Sequence, residues 1–225
     1  MSTQPVAIVA GAGPGLGQAL INYLANNGYN AFGLNRSIQA DFINTVATDL
    51  ADKARVESAV KEIYGVAGAL KLVIHNPAKL VIAPFEETGP EIFEDTWRTM
   101  VLSAVHLAQA TLPMMAQAGG GTFIVSGATA SLRGGKNFSA FASAKSALRT
   151  LTQSLAKEYG PKGIHVAHVI LDGILNTDAS RDRHGLDPAR MMNLDDVAAA
   201  YLALANQPQS TWTFEADLRP MGEAF

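Results

Sequence analysis

Short apolar runs alternate with amphipathic stretches along the whole chain. A run of apolar and β-branched residues predicts a strand that is buried on both faces of a sheet. Apolar residues three and four positions apart predict a helix with one buried face. The predicted strands are residues 6–10, 30–35, 42–48, 70–75, 122–126, 164–171 and 211–218, and the predicted helices are 18–27, 52–64, 90–117, 137–159 and 194–205.

Two of these helices carry signals at particular residues. Pro113 lies inside 90–117, and we expect the helix to kink or end there because proline lacks an N–H and its ring clashes with the preceding turn. Asn193 is predicted to cap the helix 194–205, whose first turn carries Asp195 and Asp196.

The alternation of strands and helices predicts an α/β fold with a doubly wound parallel sheet between two helical layers. We expect about seven strands in one Rossmann-type domain that spans residues 1–225. Segment 177–190 is the exception, because it is polar and has no clean periodicity. It is predicted to form a mobile loop over the sheet edge, on the side of the substrate.

Composition mainly excludes classes of protein. Hydrophobic residues make up 48% of the chain and charged residues 16%, which excludes a disordered or collagen-like protein. With 17 basic and 20 acidic residues, a net charge of −3 and no long basic run, we expect no binding to nucleic acid. The absence of cysteine excludes disulfides, thiol nucleophiles and thiolate-bound metals.

Location is also predicted from the sequence. The start of the chain has no basic segment followed by an apolar run, so no secretory signal is visible. No apolar stretch approaches the roughly 20 residues that span a bilayer. We therefore expect a cytoplasmic protein without membrane contact.

Four glycines stand within seven residues between the first strand and the first helix. They are Gly11, Gly13, Gly15 and Gly17, and Leu16 lies among them. Such a turn leaves backbone N–H groups at a helix N-terminus, which suits a phosphate, and glycine allows a pyrophosphate to approach the backbone. The alternative interpretation is an ordinary tight turn between a strand and a helix.

The spacing Gly-x-x-x-Gly-x-Gly resembles that of the short-chain dehydrogenase/reductase family, and the resemblance covers nearly the whole chain. Asn76 matches the second Asn of the family's Asn-Asn-Ala-Gly segment. Further matches follow in family order, at Lys145, Asp172-Gly173 and Thr177. The resemblance implies a dinucleotide cofactor whose binding residues are the glycine turn with Leu16, then Asn35, Arg36, Ser37, Asp49, Leu50, Asn76, Lys145 and Gly173.

The end of the second strand predicts the type of dinucleotide. Its sequence is Asn35-Arg36-Ser37, without the carboxylate that would bind the 2′-hydroxyl of the adenosine ribose and repel a 2′-phosphate. Arg36 can pair with that phosphate. The sequence therefore favours NADP(H) over NAD(H), and the alternative is that Arg36 is a solvated side chain at a strand end.

The family's proton-transfer site consists of Asn, Ser, Tyr and Lys, and this chain matches only one of the four. Lys145 occupies the Lys place, and we expect it to be the catalytic residue that remains. The Tyr place is Phe141, the Asn place is Met100, and the Ser place is Ala128, or Thr129 if the alignment slips by one residue. A phenyl ring cannot carry a proton, so the usual mechanism loses its acid.

Other side chains could substitute for the missing acid. His75 could titrate near neutral pH, although a strand-end histidine with local hydrogen bonds is the favoured interpretation. Asp172 could serve as a base or could cap a turn. Ser143 is a poor replacement because it points away from Phe141 on a helix. His165 and His168 would point to opposite faces of a strand, so we expect no metal site.

Two functions fit these residues. The first is an oxidoreductase that uses NADP(H) on an unknown carbonyl or alcohol, with a degenerate proton-transfer site. The second is a non-catalytic NADP(H)-binding sensor or oligomeric scaffold. Small residues over 139–147 permit close helix approach, and the family pairs its long helices across a subunit interface, so we expect a homodimer or homotetramer.

Overall fold

One parallel sheet runs through the part of the chain that the computed structural model describes, namely residues 4–38, 42 and 44–223. Its strands lie in the order β3-β2-β1-β4-β5-β6-β7, and all neighbours are parallel. The strands are β1 (Val6–Ala10), β2 (Asn30–Asn35), β3 (Thr45–Ala47), β4 (Leu70–His75), β5 (Gly121–Ser126), β6 (Ile164–Leu171) and β7 (Glu215–Leu218).

Helices cover both faces of the sheet. They are α1 (Leu16–Asn26), α2 (Lys53–Ala67), α3 (Pro90–Trp97), α4 (Ser103–Gln117), α5 (Ser139–Tyr159), α6 (Asp178–His184) and α7 (Leu194–Ala205). Apolar side chains of α1 and α7 form one core with the sheet, and those of α2, α4 and α5 form the other. The predicted doubly wound α/β fold is therefore confirmed.

Alternation along the strands explains why their sequences are continuously apolar. In β1, Val6, Ile8 and Ala10 belong to the core under α2, α4 and α5, whereas Ala7 and Val9 belong to the core under α1 and α7. A strand that is buried on both faces needs apolar residues at every position. Such runs predicted the bounds of β1, β4 and β6 correctly, and the predicted bounds of β2 are also those observed.

Helix caps agree with the sequence where short polar side chains precede a helix. Asp52 accepts hydrogen bonds from the N–H groups of Ala54 and Arg55 at the start of α2. Asn193 accepts from Asp195 and Asp196, at 2.8 and 3.2 Å, at the start of α7. Each side chain satisfies donors that have no partner within the helix.

The helix that contains Pro113 does not end there. α4 continues to Gln117, and Pro113 lies on an exposed side of it. The carbonyl that loses its partner is that of Gln109, which is also exposed, so water can take the place of the missing N–H. The interruption of 90–117 lies earlier, at a π-helical turn over Arg98–Leu102 between α3 and α4.

Two of the predicted strands are shorter than expected. β3 comprises only Thr45–Ala47, and position 43 of the predicted strand 42–48 lies outside the described residues. β7 begins at Glu215 rather than near 211. The side chain of Gln207 accepts from the N–H of Thr213 at 2.8 Å, which keeps that group out of the ladder between β6 and β7.

Segment 177–190 is not the structureless loop that its composition suggested. It contains α6 and a short 3₁₀ turn over Pro188–Arg190. Thr177 caps α6 by accepting from the N–H of Ser180, and Arg181 donates to Asn176 at 2.6 Å. Local hydrogen bonds of this kind stabilise α6, whose sequence has no apolar periodicity. The hydrophobic pattern therefore did not predict this helix.

The helical stretch 90–117 corrects the expectation that no apolar stretch approaches the length of a membrane span. It has 28 residues and is long and apolar enough to qualify, but half of its most apolar window is buried inside the protein. Leu107, Leu112 and Met115 are fully buried in the core beside the sheet. The core helix of a soluble protein passes the same test, and the fold places this helix in that role.

The cap of α7 gives a test of local helix stability. Asn193→Ala should lower the free energy of unfolding by about 1 kcal/mol, because two N–H groups lose their acceptor. Thermal unfolding should shift down by roughly 2–4 °C. Asn206→Ala, at the other end of the same helix, is the matched control and should change little; equal shifts in both variants would contradict this account of the cap.

Candidate functional site

A cleft opens at the carboxyl edge of the sheet, where the strand order reverses between β1 and β4. The chain leaves β1 toward one face of the sheet and leaves β4 toward the other, so a crevice remains between the two connections. Two cavities occupy it, an inner one of about 390 Å³ and an outer one of about 350 Å³. Gly11, Gly13, Asn76 and Ala78 line both, so the two cavities are continuous.

The glycine turn forms the floor of this cleft through close backbone packing. Gly11 has a φ of +80°, and a Cβ there would lie 2.7 Å from the backbone nitrogen of Pro77. A Cβ on Gly17 would lie 2.3 Å from the carbonyl oxygen of Gly11. No side chain caps α1 at Gly15, so the N–H groups of Leu16 and Gly17, which line the inner cavity, remain available to an anion.

Gly13 differs from its neighbours because a Cβ there would meet no atom within 4 Å. The space above it is the shared part of the two cavities. A ligand can therefore approach the backbone closely at this point. The turn as a whole fits a pyrophosphate, since it combines open space, a helix N-terminus and the absence of side chains.

Gly15 lies against α6 and lines neither cavity. A Cβ on Gly15 would come within 2.9 Å of the Cγ2 of Thr177. Thr177 itself lines the inner cavity. The role of Gly15 in binding the cofactor therefore stays a prediction, and the close approach of Thr177 leaves no room for a side chain at this position.

Asn76 ties β4 to the glycine turn. Its backbone N–H donates to the carbonyl of Ala10 at 2.9 Å, and its side-chain amide donates to the carbonyl of Gly11 at 3.3 Å. Gly173 reaches the inner cavity from the end of β6. The carboxyl ends of β1, β4 and β6 therefore meet at the same cavity, as parallel strands require.

Residues expected on the adenosine side meet at the outer cavity. Asn35, Arg36, Asp49 and Leu50 line it. Ser37 does not, although its carbonyl accepts a hydrogen bond from the side chain of Asn35 at 2.8 Å. Most of the predicted adenosine-side residues thus share one cavity, and Ser37 supports it from outside.

The wall of the inner cavity contains Lys145, Phe141 and Ala128. Lys145 is buried, with 2% of its surface exposed, and its Nζ donates to the carbonyl of Ser126 at 2.8 Å. The same Nζ lies 5.8 Å from the ring centroid of Phe141. Burial lowers the pKa of Lys145 to about 8, because little around the amine solvates a positive charge.

Ala128 lines the cavity and Thr129 does not. The hydroxyl of Thr129 donates instead to the carboxylate of Asp172. Met100 is fully buried in the core on the π-helical turn and also does not line the cavity. The side chains of Phe141, Ala128 and Met100 therefore present no proton-carrying group to the cleft.

His75 lies behind the cavity wall. It is fully buried, its Nε2 lies 2.8 Å from the Oγ of Ser103, and it does not line the inner cavity. Burial, with a smaller effect of the nearby Lys145 charge, lowers the pKa of His75 to about 3. The interpretation as a locally bonded strand-end histidine fits this geometry, and a role as a neutral-pH acid does not.

Asp172 is engaged on both carboxylate oxygens. Oδ1 accepts from Thr129, and Oδ2 pairs with Nη2 of Arg219 at 2.9 Å. It is buried and does not line the inner cavity. These contacts give Asp172 a structural role that joins the ends of β5, β6 and β7.

A second buried histidine belongs to an ion-pair network behind Lys145. Glu215 accepts two hydrogen bonds from Arg149, at 2.5 and 2.9 Å, and its Oε2 lies 3.3 Å from Nδ1 of His168. Burial lowers the pKa of His168 despite this carboxylate, and the hydrogen bonds from Arg149 lower the pKa of Glu215. His168 is therefore neutral at pH 7.

Several residues that line the cleft were not predicted. Ser180, Arg183 and His184 reach the inner cavity from α6, and Arg98 and Thr99 reach the outer cavity from the π-helical turn. The capping pattern at Thr177 was the available signal for the first group. No local pattern marks the second, because it depends on how α3 and α4 cross the sheet edge.

Comparison with known proteins gives a consistent family. Residues 5–185 match the family model for short chain dehydrogenases. An uncharacterized oxidoreductase of Staphylococcus aureus strain USA300 is 26% identical over 234 residues, which covers 97% of this chain and 98% of that protein.

Solved structures agree with this match. A short-chain dehydrogenase from Rhodopseudomonas palustris superposes with a TM-score of 0.81 and 32% identity, covering 96% of this chain and 98% of the other. A metagenomic short-chain oxidoreductase in complex with NADP shares the fold, with a TM-score of 0.82, 20% identity and coverages of 96% and 97%. This chain therefore belongs to the short-chain dehydrogenase/reductase family.

The buried histidines predict how stability depends on pH. An unfolded histidine takes up a proton near pH 6.5, whereas His75 does so only near 3, so the unfolded state binds more protons between these values. The free energy of unfolding should therefore fall as the pH drops from 7 to 5, by up to about 2 kcal/mol for each such histidine.

Urea unfolding at pH 7 and pH 5 measures this effect. His75→Gln should reduce the loss of stability between the two pH values. His184→Gln, at an exposed position, should leave it unchanged. A loss of stability that is the same in His75→Gln as in the original protein would show that His75 does not cause it.

Proposed function

We propose that this chain is an NADP(H)-dependent oxidoreductase that acts on a carbonyl or alcohol group without the family's usual tyrosine acid. The observation that carries the proposal is the continuous cleft at the sheet edge. It joins the glycine turn, Asn76 and Lys145 to Arg36 at its outer end. A nicotinamide dinucleotide, when bound, supplies hydride transfer, and the protein supplies binding and orientation.

The residues divide between the two ends of the dinucleotide. The first turn of α1 and the open space above Gly13 receive the pyrophosphate. Asp49 and Leu50 border the adenosine, and the carbonyl of Leu50 is held by the ring of His106 at 3.1 Å. Lys145 at the inner end binds ribose hydroxyls through donors that its bond to Ser126 leaves available.

Arg36 supports the choice of NADP(H). It lines the outer cavity at an exposed position, and residues 35–37 include no carboxylate. A guanidinium there pairs with a 2′-phosphate and gains nothing comparable from a 2′-hydroxyl. The structural neighbour that was solved in complex with NADP also supports NADP(H) as the cofactor.

The proton-transfer wall is the unusual part of the proposal. Phe141 and Ala128 line the cavity where the family carries hydroxyls, and a positioned acid is worth about 10²–10⁴ in rate. We therefore expect slow turnover in this chain. Because the named relative is an oxidoreductase, a non-catalytic sensor or scaffold is not favoured.

Substrate and assembly complete the proposal. The substrate enters beside Phe141 beneath α6, whose Ser180 and His184 line the same cavity. The small residues of α5, including Ser139 and Ser143, suit close packing with a second copy in a homodimer or homotetramer. We expect a cytoplasmic location, where NADP(H) is available to the enzyme.

Cofactor preference is tested at Arg36. Arg36→Ala should weaken NADPH binding about 10–100-fold and change NADH binding less than about twofold, because one charge-assisted pair is lost. Isothermal calorimetry with both dinucleotides measures this difference. Arg190→Ala makes the same charge change at an exposed site that does not line either cavity of the cleft. Equal losses for NADPH and NADH at Arg36→Ala would refute its assigned role.

Turnover is tested by restoring the missing hydroxyls. The double variant Phe141→Tyr with Ala128→Ser should raise NADPH-dependent reduction of simple ketones by about 10²-fold or more, because it supplies an acid beside Lys145. Phe138→Tyr is the matched control, since Phe138 packs edge-on against Phe141 at 6.5 Å between ring centroids. If the original chain already turns over as fast as the double variant, another group donates the proton.

A further inference from the structure

Lys145 combines a buried amine with access to a cavity. It is the buried lysine among the described residues, and it lines the inner cavity. Its Nζ donates to one carbonyl, that of Ser126, although an ammonium has three N–H donors. No ion pair with a carboxylate involves it in the described ranges 4–38, 42 and 44–223.

Burial outweighs the two contacts that favour the charged form of this amine, the hydrogen bond to the Ser126 carbonyl and the ring of Phe141. The ring of Phe141 replaces the phenol that the family places there, and the nearby His75 is neutral because it is buried. With a pKa of about 8, Lys145 carries at pH 7.5 a fraction of neutral amine about 200-fold larger than an ordinary lysine does. The neutral amine is the nucleophilic form.

The cavity beside this amine suits a small apolar molecule. Its volume is about 390 Å³, and apolar side chains form much of its inner wall, namely Leu80, Ala128, Phe141, Leu171, Ile174 and Leu175. Such a wall binds an aliphatic or aromatic body by removing its surface from water.

We propose that Lys145 of the cofactor-free protein is a covalent capture site for aldehydes with a short apolar body. The neutral Nζ attacks the carbonyl carbon, so that a C–N bond forms, the C=O π bond breaks and one N–H proton moves to the oxygen to give a carbinolamine. The hydroxyl then leaves with the remaining N–H proton as one water molecule, and a C=N bond forms, which gives a neutral imine between Lys145 and the aldehyde. No oxidant or reductant is consumed, and hydrolysis reverses the step.

This activity goes beyond dinucleotide binding, because it requires only the amine and the inner cavity. Arg36 and the outer cavity take no part in it. Dinucleotide and aldehyde should nevertheless compete, since both would use the space beside Lys145. The competition separates the two proposals experimentally.

Reductive trapping tests the capture. The cofactor-free protein is incubated with butanal and cyanoborohydride at pH 7.5, and modified lysines are located by peptide mass spectrometry. Lys145 should be alkylated at least tenfold faster than any exposed lysine, and the rate should level off above a midpoint near pH 8. Modification spread over exposed lysines, with Lys145 unmodified or no faster than they are, would overturn the proposal.

Variants and competition complete the test. Lys145→Arg retains a cation but cannot form an imine, so the fast-modified site should disappear. Lys157→Arg, at an exposed position of the same helix, should leave it unchanged. Should Lys145→Arg fail to fold, the site-resolved rates in the original protein still decide the question.

Competition with NADP⁺ shows which of the two proposals fails, dinucleotide binding or aldehyde capture at Lys145. Trapping at Lys145 without dinucleotide binding would refute the proposed cofactor and leave the capture site standing. Calorimetric binding of NADP⁺ with no trapping at Lys145 in its absence would refute the capture site alone. Saturating NADP⁺ is expected to slow trapping at Lys145 at least tenfold and to leave exposed lysines unaffected.

Discussion

The reversal of strand order between β1 and β4 is the constraint on which the candidate site depends. Both faces of the sheet are covered by helices, so a ligand can reach the strands only at an edge. At the carboxyl edge the two connections diverge, and the crevice between them receives the glycine turn, Asn76 and Gly173. The packing of Gly17 against the carbonyl of Gly11 brings α1 close enough for its N-terminus to face that crevice.

Within this crevice, the environment of Lys145 determines what chemistry is available. Its amine is buried beside a phenyl ring and bonded to one carbonyl, and this lowers its pKa. A tyrosine at position 141 would use the same lysine as an electrostatic partner. Phe141 offers no acid to the cleft, and burial leaves Lys145 with a larger fraction of neutral, nucleophilic amine than an exposed lysine has.

Behind this wall the structure tolerates buried polar groups that an apolar core would avoid. His75 is bonded to Ser103, and His168 lies beside the carboxylate that Arg149 holds. Burial keeps both histidines neutral at pH 7, so neither adds a positive charge next to Lys145. Their neutrality preserves a weakly polar surrounding for the amine, and it makes the fold sensitive to acid.

Much of this protein follows from local sequence. Mainly apolar runs predicted the bounds of β1, β4 and β6, because burial on both faces permits few other residues. The glycine turn and the Asn193 cap could be predicted because both depend on interactions between residues that are close in the sequence.

Tertiary structure decided the rest. Only the folded chain shows that Ala128 rather than Thr129 faces the cavity and that Asp172 is paired with Arg219, since these contacts join separate strands. Hydrophobic periodicity also does not record water or side-chain hydrogen bonds. Water allows α4 to continue past Pro113, and side-chain hydrogen bonds shorten β7 and cap the helix within 177–190. Periodicity reports which face of an element is buried, whereas the reactivity of Lys145 depends on what the other elements place around it.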